Sequence, residues 1–253
     1  MGILSGRVAI LTGASSGVGY GAAKRCAEEG ATVIACARRL DRLESLAAET
    51  AAMEGRIVPQ QCDVGVEADL DAAVARAIAE GGTVHALINI AQGGLDIQQP
   101  ILDTTPDNAL VFYRTGPIAS LLLMQKCFPY MKEQGYGRIV NCASGAGVTG
   151  QAGFAGYAMA KGAILALTRT AAQEWGKFGI VSNVFLPVIR ADSFDTSEQG
   201  KMAAKMVAQM SPVRKLGDPY EDGSPMVAFL ASEGARYINA QTIAIDGGLT
   251  PTR

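Results

Sequence analysis

Two residues able to exchange a proton stand four positions apart in the run Tyr157-Ala158-Met159-Ala160-Lys161, and Ser144 lies one short loop upstream. The stretch that follows, residues 162–172, has helical apolar spacing and no proline, so the phenol and the ammonium share one helix face. A free phenol titrates near ~10. A neighbouring positive charge favours its phenolate, which predicts a lowered pKa and a tyrosine usable as general acid or base near neutrality. A serine hydroxyl beside it can hydrogen-bond a substrate carbonyl.

The elements that must position this trio begin at the N-terminus. Residues 7–12 form a short apolar run with β-branched members, followed at once by Gly13-Ala14-Ser15-Ser16-Gly17-Val18-Gly19 and a helix predicted over Tyr20–Glu29. Glycines there permit positive φ and close backbone approach, and the amides of a helix start point at an anion, so a pyrophosphate is the natural occupant. The second strand, Thr32–Cys36, ends at Ala37-Arg38-Arg39. An acid at this place holds the adenosine ribose hydroxyls of NAD, whereas an arginine suits a 2′-phosphate. Ala37 offers no acid, Arg38 offers a planar fork of donors and Ser15 a hydroxyl, so NADP(H) is favoured over NAD(H). Arg38 and Arg39 also open the polar face of the helix through Asp41, Glu44 and Glu49.

Strand and helix patterns alternate onward. A strand is predicted over Arg56–Gln61, ending at Cys62-Asp63-Val64, then a helix over Glu67–Ala79, a strand over Val84–Ile88, a long helix over Pro106–Glu133 and a strand over Arg138–Cys142. Asp63 either faces an adenine amino group or caps the next helix. Regular alternation implies right-handed crossovers and one doubly wound parallel α/β sheet spanning residues 1–253, with ligands at the carboxyl ends of the strands, where both the glycine turn and Ser144 fall.

Composition removes several classes. With 22 basic against 24 acidic residues the net charge is −2, and no basic run suggests a nucleic-acid face. Five scattered cysteines without Cys-x-x-Cys argue against a disulfide framework or zinc site, and no acidic cluster suggests a metal. The sequence shows no secretory segment and no membrane-spanning apolar run, which predicts a cytoplasmic protein. The single histidine, His85, immediately precedes a strand, at the wrong sheet edge for a Ser/His/Asp hydrolase, and is read as structural.

Taken together, Thr12-Gly13-x-x-x-Gly17-x-Gly19, Asp63, Asn89-x-Ala91, Ser144, Tyr157-x-x-x-Lys161, Asn183 with Pro187, and Asp246-Gly247-Gly248 resemble the short-chain dehydrogenases/reductases, a Rossmann-fold family, over essentially the whole chain. The resemblance implies hydride transfer between a nicotinamide and a ketone or secondary alcohol. Tyr157 would be the proton donor or acceptor, Ser144 would orient the carbonyl, and Lys161 would hold the nicotinamide ribose and lower the Tyr157 pKa. The implied cofactor contacts are Gly13, Ser15, Ser16, Gly17, Val18, Gly19, Arg38, Arg39, Asp63, Val64, Asn89, Ala91, Gln92, Tyr157, Lys161, Pro187, Val188 and Ile189. A homo-oligomer, tetramer or dimer, is implied too. Several positions depart from the family pattern: Ile90 and Gln92 replace an asparagine and a glycine, Tyr113 stands at the catalytic asparagine, Val188 follows Pro187 in place of glycine, and Ala191 replaces a threonine. Residues 188–217 correspond to the substrate lid, with Met202, Met206 and Met210 in a helical stripe that suits packing, an apolar ketone or a cyclic alcohol. The alternative is a nucleotide-binding relative with weak catalysis, acting as sensor or scaffold.

Overall fold

The computed structural model describes residues 1–250 apart from 96, 98 and 196. Seven strands make one sheet: β1 (Val8–Thr12), β2 (Thr32–Ala37), β3 (Arg56–Gln61), β4 (Ala86–Asn89), β5 (Gly137–Cys142), β6 (Ile180–Pro187) and β7 (Thr242–Ile245). All are parallel, in the order β3-β2-β1-β4-β5-β6-β7. The winding direction reverses between β1 and β4, and crevices outside the carboxyl ends of strands at such a switch point are where ligands of doubly wound sheets lie. Helices α1 (Gly17–Glu28), α2 (Leu40–Glu49), α3 (Glu67–Gly81), α4 (Pro106–Tyr113), α5 (Ala119–Glu133), α6 (Ala146–Thr149), α7 (Ala155–Trp175), α8 (Asp192–Asp195), α9 (Glu198–Met210) and α10 (Ser224–Leu230) complete the chain with short 3₁₀ and π turns.

Strands covered on both faces read as unbroken apolar runs, and all five residues of β1 are buried. Ile10, Ile34, Leu87 and Ile139 pack towards Leu70, Leu123 and Met124. On the opposite face Leu11, Val33, Ile88 and Phe185 meet Ala22, Cys26 and Val227. Each such fully buried aliphatic side chain contributes roughly 1.5–3 kcal/mol.

Two differences from the sequence reading carry physical content. Helix α1 begins at Gly17 instead of Tyr20, because the last glycines of the turn are themselves its first helical residues. The long helix expected over Pro106–Glu133 is interrupted: α4 passes through a π turn, Arg114–Ile118, before α5 starts. Pro117 lies inside that turn and has no N–H for the carbonyl four residues earlier, so the hydrogen-bond register steps from i→i+4 to i→i+5.

The methionines of α9 keep their helical spacing but face solvent, with Met202, Met206 and Met210 being 74%, 57% and 66% exposed, so the packing role is not taken. At the amino edge of the sheet His85 accepts the Val8 N–H at Nδ1 (3.0 Å), and burial, then the charge of Arg7, depresses its pKa to about 4. Beside it the guanidinium carbons of Arg7 and Arg138 lie 4.1 and 4.0 Å from the ring centre of Tyr136. Arg138, only 2% exposed, donates to the carbonyls of Ser232 (2.9 Å) and Gly137 (3.0 Å) and pairs with Glu233 at 3.2 Å. Among the described residues no helix is long and apolar enough to cross a membrane.

Candidate active site

A cavity of about 770 Å³ opens at the carboxyl edge, between the ends of β1, β2, β3, β4, β5 and β6. Its floor is the glycine turn. Gly13 and Gly17 hold φ of +81° and +52°. A Cβ on Gly13 would stand 3.0 Å from the Ala91 nitrogen, and one on Gly19 would stand 2.1 Å from the Gly13 carbonyl oxygen, so the turn closes only without side chains. Ser16, extended at φ −164° and ψ 165°, precedes α1 without a side-chain capping bond, which leaves first-turn amides as donors for an anion. This cradle fits the pyrophosphate of a dinucleotide. Ser15, Val18, Val64, Pro187 and Ile189 line the same cavity.

Arg38 and Arg39 both reach the wall of the cavity. Arg39 is engaged with Ser15, donating from Nη2 to its Oγ (3.1 Å) and its carbonyl (3.2 Å), so the hydroxyl expected to meet a phosphate also receives a guanidinium. Asp63 lines the cavity but does not cap α3; its Oδ1 accepts the Gly65 N–H (2.9 Å), and Val66 precedes the helix.

Asn89 is not on the cavity wall. It is buried and donates to Asn141 Oδ1 (2.9 Å), which in turn donates from Nδ2 to Thr168 Oγ1 (3.0 Å), tying β4, β5 and α7 together. The last residue of a buried strand found a side-chain partner across the ladder before it met the crevice. Val188 turns into a neighbouring hollow with Pro212 and Gly247.

The chemistry-bearing trio assembles where β5 meets α7. Tyr157 and Lys161 line the cavity, one turn apart on α7, with the Lys161 nitrogen 5.6 Å from the centre of the Tyr157 ring. Ser144, on the loop after β5, accepts the Ala146 N–H (3.2 Å) and acts to lower the phenol pKa; its neighbours Cys142 and Ala143 line the cavity, whereas Ser144 itself does not. Phe112 and Phe154 meet that ring edge-on, at centroid distances of 5.9 and 6.1 Å. Lys161 is 2% exposed and donates to the Cys142 carbonyl (2.9 Å).

Electrostatically the site corrects the expectation of a lowered tyrosine pKa. Burial lifts the Tyr157 pKa to about 12, outweighing the nearby Ser144 hydroxyl, which lowers it. Burial also lowers the Lys161 pKa, so the same water-poor surroundings disfavour both charged forms. In this state Tyr157 is a proton donor.

Tyr113 is half-buried at the end of α4 and is absent from the residues that form the cavity wall. The neighbour that reaches the wall is Thr115, inside the π turn, whose hydroxyl donates to the Val111 carbonyl (2.8 Å) and accepts the Gly93 N–H (3.0 Å). Sequence reasoning missed Thr115, and also Cys36, Cys62 and Cys142, which stand at strand ends. For the cysteines the available signal was position at the carboxyl ends of strands: Cys36 is the penultimate residue of β2, Cys62 follows β3 and Cys142 ends β5.

The geometry and the sequence comparisons agree. A family model described as enoyl-(acyl carrier protein) reductase matches residues 13–250. The chain is 33% identical over 257 residues to 12alpha-hydroxysteroid dehydrogenase of a Clostridium species, covering 98% of each protein. It is 31% identical to levodione reductase of Leifsonia aquatica, covering 96% of this chain and 93% of that one. A solved levodione reductase structure superposes with a TM-score of 0.90 at 31% identity, over 98% of each chain. The protein belongs to the short-chain dehydrogenase/reductase family, whose members compared above are oxidoreductases.

Proposed function

We propose that the protein is an NADP(H)-dependent oxidoreductase that interconverts a ketone and a secondary alcohol, with an apolar or cyclic substrate. The observation that carries this reading is the sharing of one cavity by the glycine cradle, Tyr157 and Lys161, with Ser144 close enough on the loop after β5 to lower the phenol pKa. When bound, the nicotinamide exchanges a hydride with the carbonyl carbon. The α1 amides hold the pyrophosphate, and Arg38, beside Arg39 and Ser15, takes the 2′-phosphate. Ser144 fixes the carbonyl oxygen, and Tyr157 hands that oxygen a proton in reduction and recovers it in oxidation. Lys161 holds the ribose hydroxyls and steadies charge on the phenol. Phe154 and Phe112 around Tyr157, and the exposed methionines of α9 as a lid surface, favour an apolar or cyclic substrate. Relatives named for a hydroxysteroid and for levodione fit that class. The exposed Leu110, Ile118 and Leu121 around the α4–α5 break suit a second copy of the chain, hence a dimer or tetramer in the cytoplasm.

A second reading, nucleotide binding without efficient turnover, is favoured by Tyr113 at the position of the family's asparagine. Oxidation of NADPH, with NADH alongside, against aryl, cyclic and steroid-like ketones separates the two. The expected result is NADPH-dependent turnover that falls about 10³-fold in Tyr157→Phe, within the range of lost acid–base catalysis. Tight NADPH binding without turnover selects the second reading, and preference for NADH removes the role given to Arg38.

A further inference from the structure

The feature outside the family pattern that touches most of the cavity wall is Gln92. Its side-chain amide nitrogen donates to the Phe112 carbonyl (3.1 Å), the Thr115 hydroxyl (3.2 Å) and the Gly93 carbonyl (3.2 Å). Two of these acceptors belong to the helix at or beside the π turn that contains Pro117. The other end of the same short loop is tied to the glycine turn: the N–H groups of Ile90 and Ala91 both reach Thr12 Oγ1, at 3.1 and 3.2 Å. Residues 90–93 are therefore stretched between β1 and the broken helix, and all four line the cavity.

The fit is close and has a cost. Gln92 Oε1 is buried with no hydrogen-bond partner. A Cβ on Gly116 would stand 2.6 Å from it, so this amide lies against a helix backbone that has no side chain there. The reverse amide orientation would aim the oxygen at two carbonyls, which fixes the nitrogen towards Phe112 and Gly93. A buried acceptor left bare is unfavourable, and it is set against the two N–H groups of the same amide, which the three acceptors share.

From this arrangement we infer that Gln92 is a positioning residue: it clamps the 90–93 wall of the cofactor cavity onto the α4–α5 break, and so sets dinucleotide affinity without taking part in proton transfer. The inference rests on the dinucleotide reading of the cavity, and its test begins without any dinucleotide. Hydrogen exchange of the free protein is measured at the Gly93 amide in wild type, Gln92→Leu, which keeps volume and deletes the donor, and Thr115→Val. NADPH affinity is then measured by calorimetry, and turnover is followed across pH. Expected for Gln92→Leu is at least tenfold faster exchange at Gly93, about tenfold weaker NADPH binding, a KM for NADPH that rises by a larger factor than kcat falls, and an unshifted pH profile. Thr115→Val also removes the acceptor of the Gly93 N–H itself, so it is compared through NADPH affinity: that should fall about as far as in Gln92→Leu, and no further in the double variant, since both cut one clamp. Unchanged exchange and affinity in Gln92→Leu would overturn the clamp, and a shifted pH profile would overturn its separation from the proton step. If wild type bound no NADPH while the exchange effect held, the clamp would stand and the dinucleotide reading would fall.

Discussion

The two ends of the parallel sheet solve opposite problems. At the amino end, polar groups engage one another: Arg138 spends its donors on carbonyls and Glu233, the Tyr136 ring meets two guanidinium groups while its buried hydroxyl has no partner, and His85 accepts a backbone N–H. At the carboxyl end, polar groups stand beside open space: the α1 amides lack a side-chain cap, and Tyr157 and Lys161 face a cavity. One end holds the strands in place, and the other is held in place so that it can receive something. Mutations at the two ends should therefore separate stability from binding.

The largest separation is expected from Gly19→Ala. Its Cβ would stand 2.1 Å from the Gly13 carbonyl, a backbone atom that cannot yield without opening the cradle. Dinucleotide binding measured by calorimetry should be lost, and stability should fall by about 1–3 kcal/mol, as for overpacking. Retained binding would mean that the turn is not the anion site. Arg138→Met is the opposite case. Removing the donor shared by the carbonyls of Ser232, Gly137 and Gly179 and by Glu233 should cost about 3 kcal/mol in denaturant unfolding. NADPH affinity and turnover should stay within twofold, and a larger loss would show that the two ends are coupled.

The smallest effect is in pH dependence, where the ends act in different windows. His85 has a folded pKa near 4 against an ordinary 6.5, so the unfolded chain binds the extra proton first and this contribution to stability is lost as pH falls from 6.5 towards 4. Tyr157, raised to about 12 from 10, favours the fold below pH 10 and loses that contribution as pH rises towards 12. Melting followed across pH should show His85→Gln flattening the acid limb only and Tyr157→Phe the alkaline limb only.

The same contrast explains what could be read from the chain. The glycine turn, the strand that precedes it and the Tyr157–Lys161 face are local, because spacing along a few residues decides them. The doubly wound parallel sheet followed from alternation and the handedness of crossovers, whereas the strand order is seen only in the structure. The buried bond that takes up the Asn89 side chain could not be read locally, because its partner, Asn141, is 52 positions away on the neighbouring strand. Tyr113 was assigned to the site by position, yet the π turn that Pro117 provokes presents Thr115 instead. The direction of the Tyr157 pKa shift also escaped, because helical spacing gives the distance to a charge and says nothing about burial, which here dominates. The exposure of the α9 methionines is likewise set by what lies opposite the helix, and periodicity cannot report that.

One feature of the core reaches beyond the site. Cys26, Cys36, Cys62, Cys127 and Cys142 are all the cysteines of the chain, and every one is buried. Burial also lifts the thiol pKa of Cys26 and Cys127 to about 12, which leaves almost no thiolate at neutral pH. Cys26 and Cys127 are thus silent towards alkylating reagents in the native fold, whereas Cys36, Cys62 and Cys142 reach the cavity wall. Slow uptake at Cys26 and Cys127 becomes a clock for opening of the fold, read apart from labelling through the cavity.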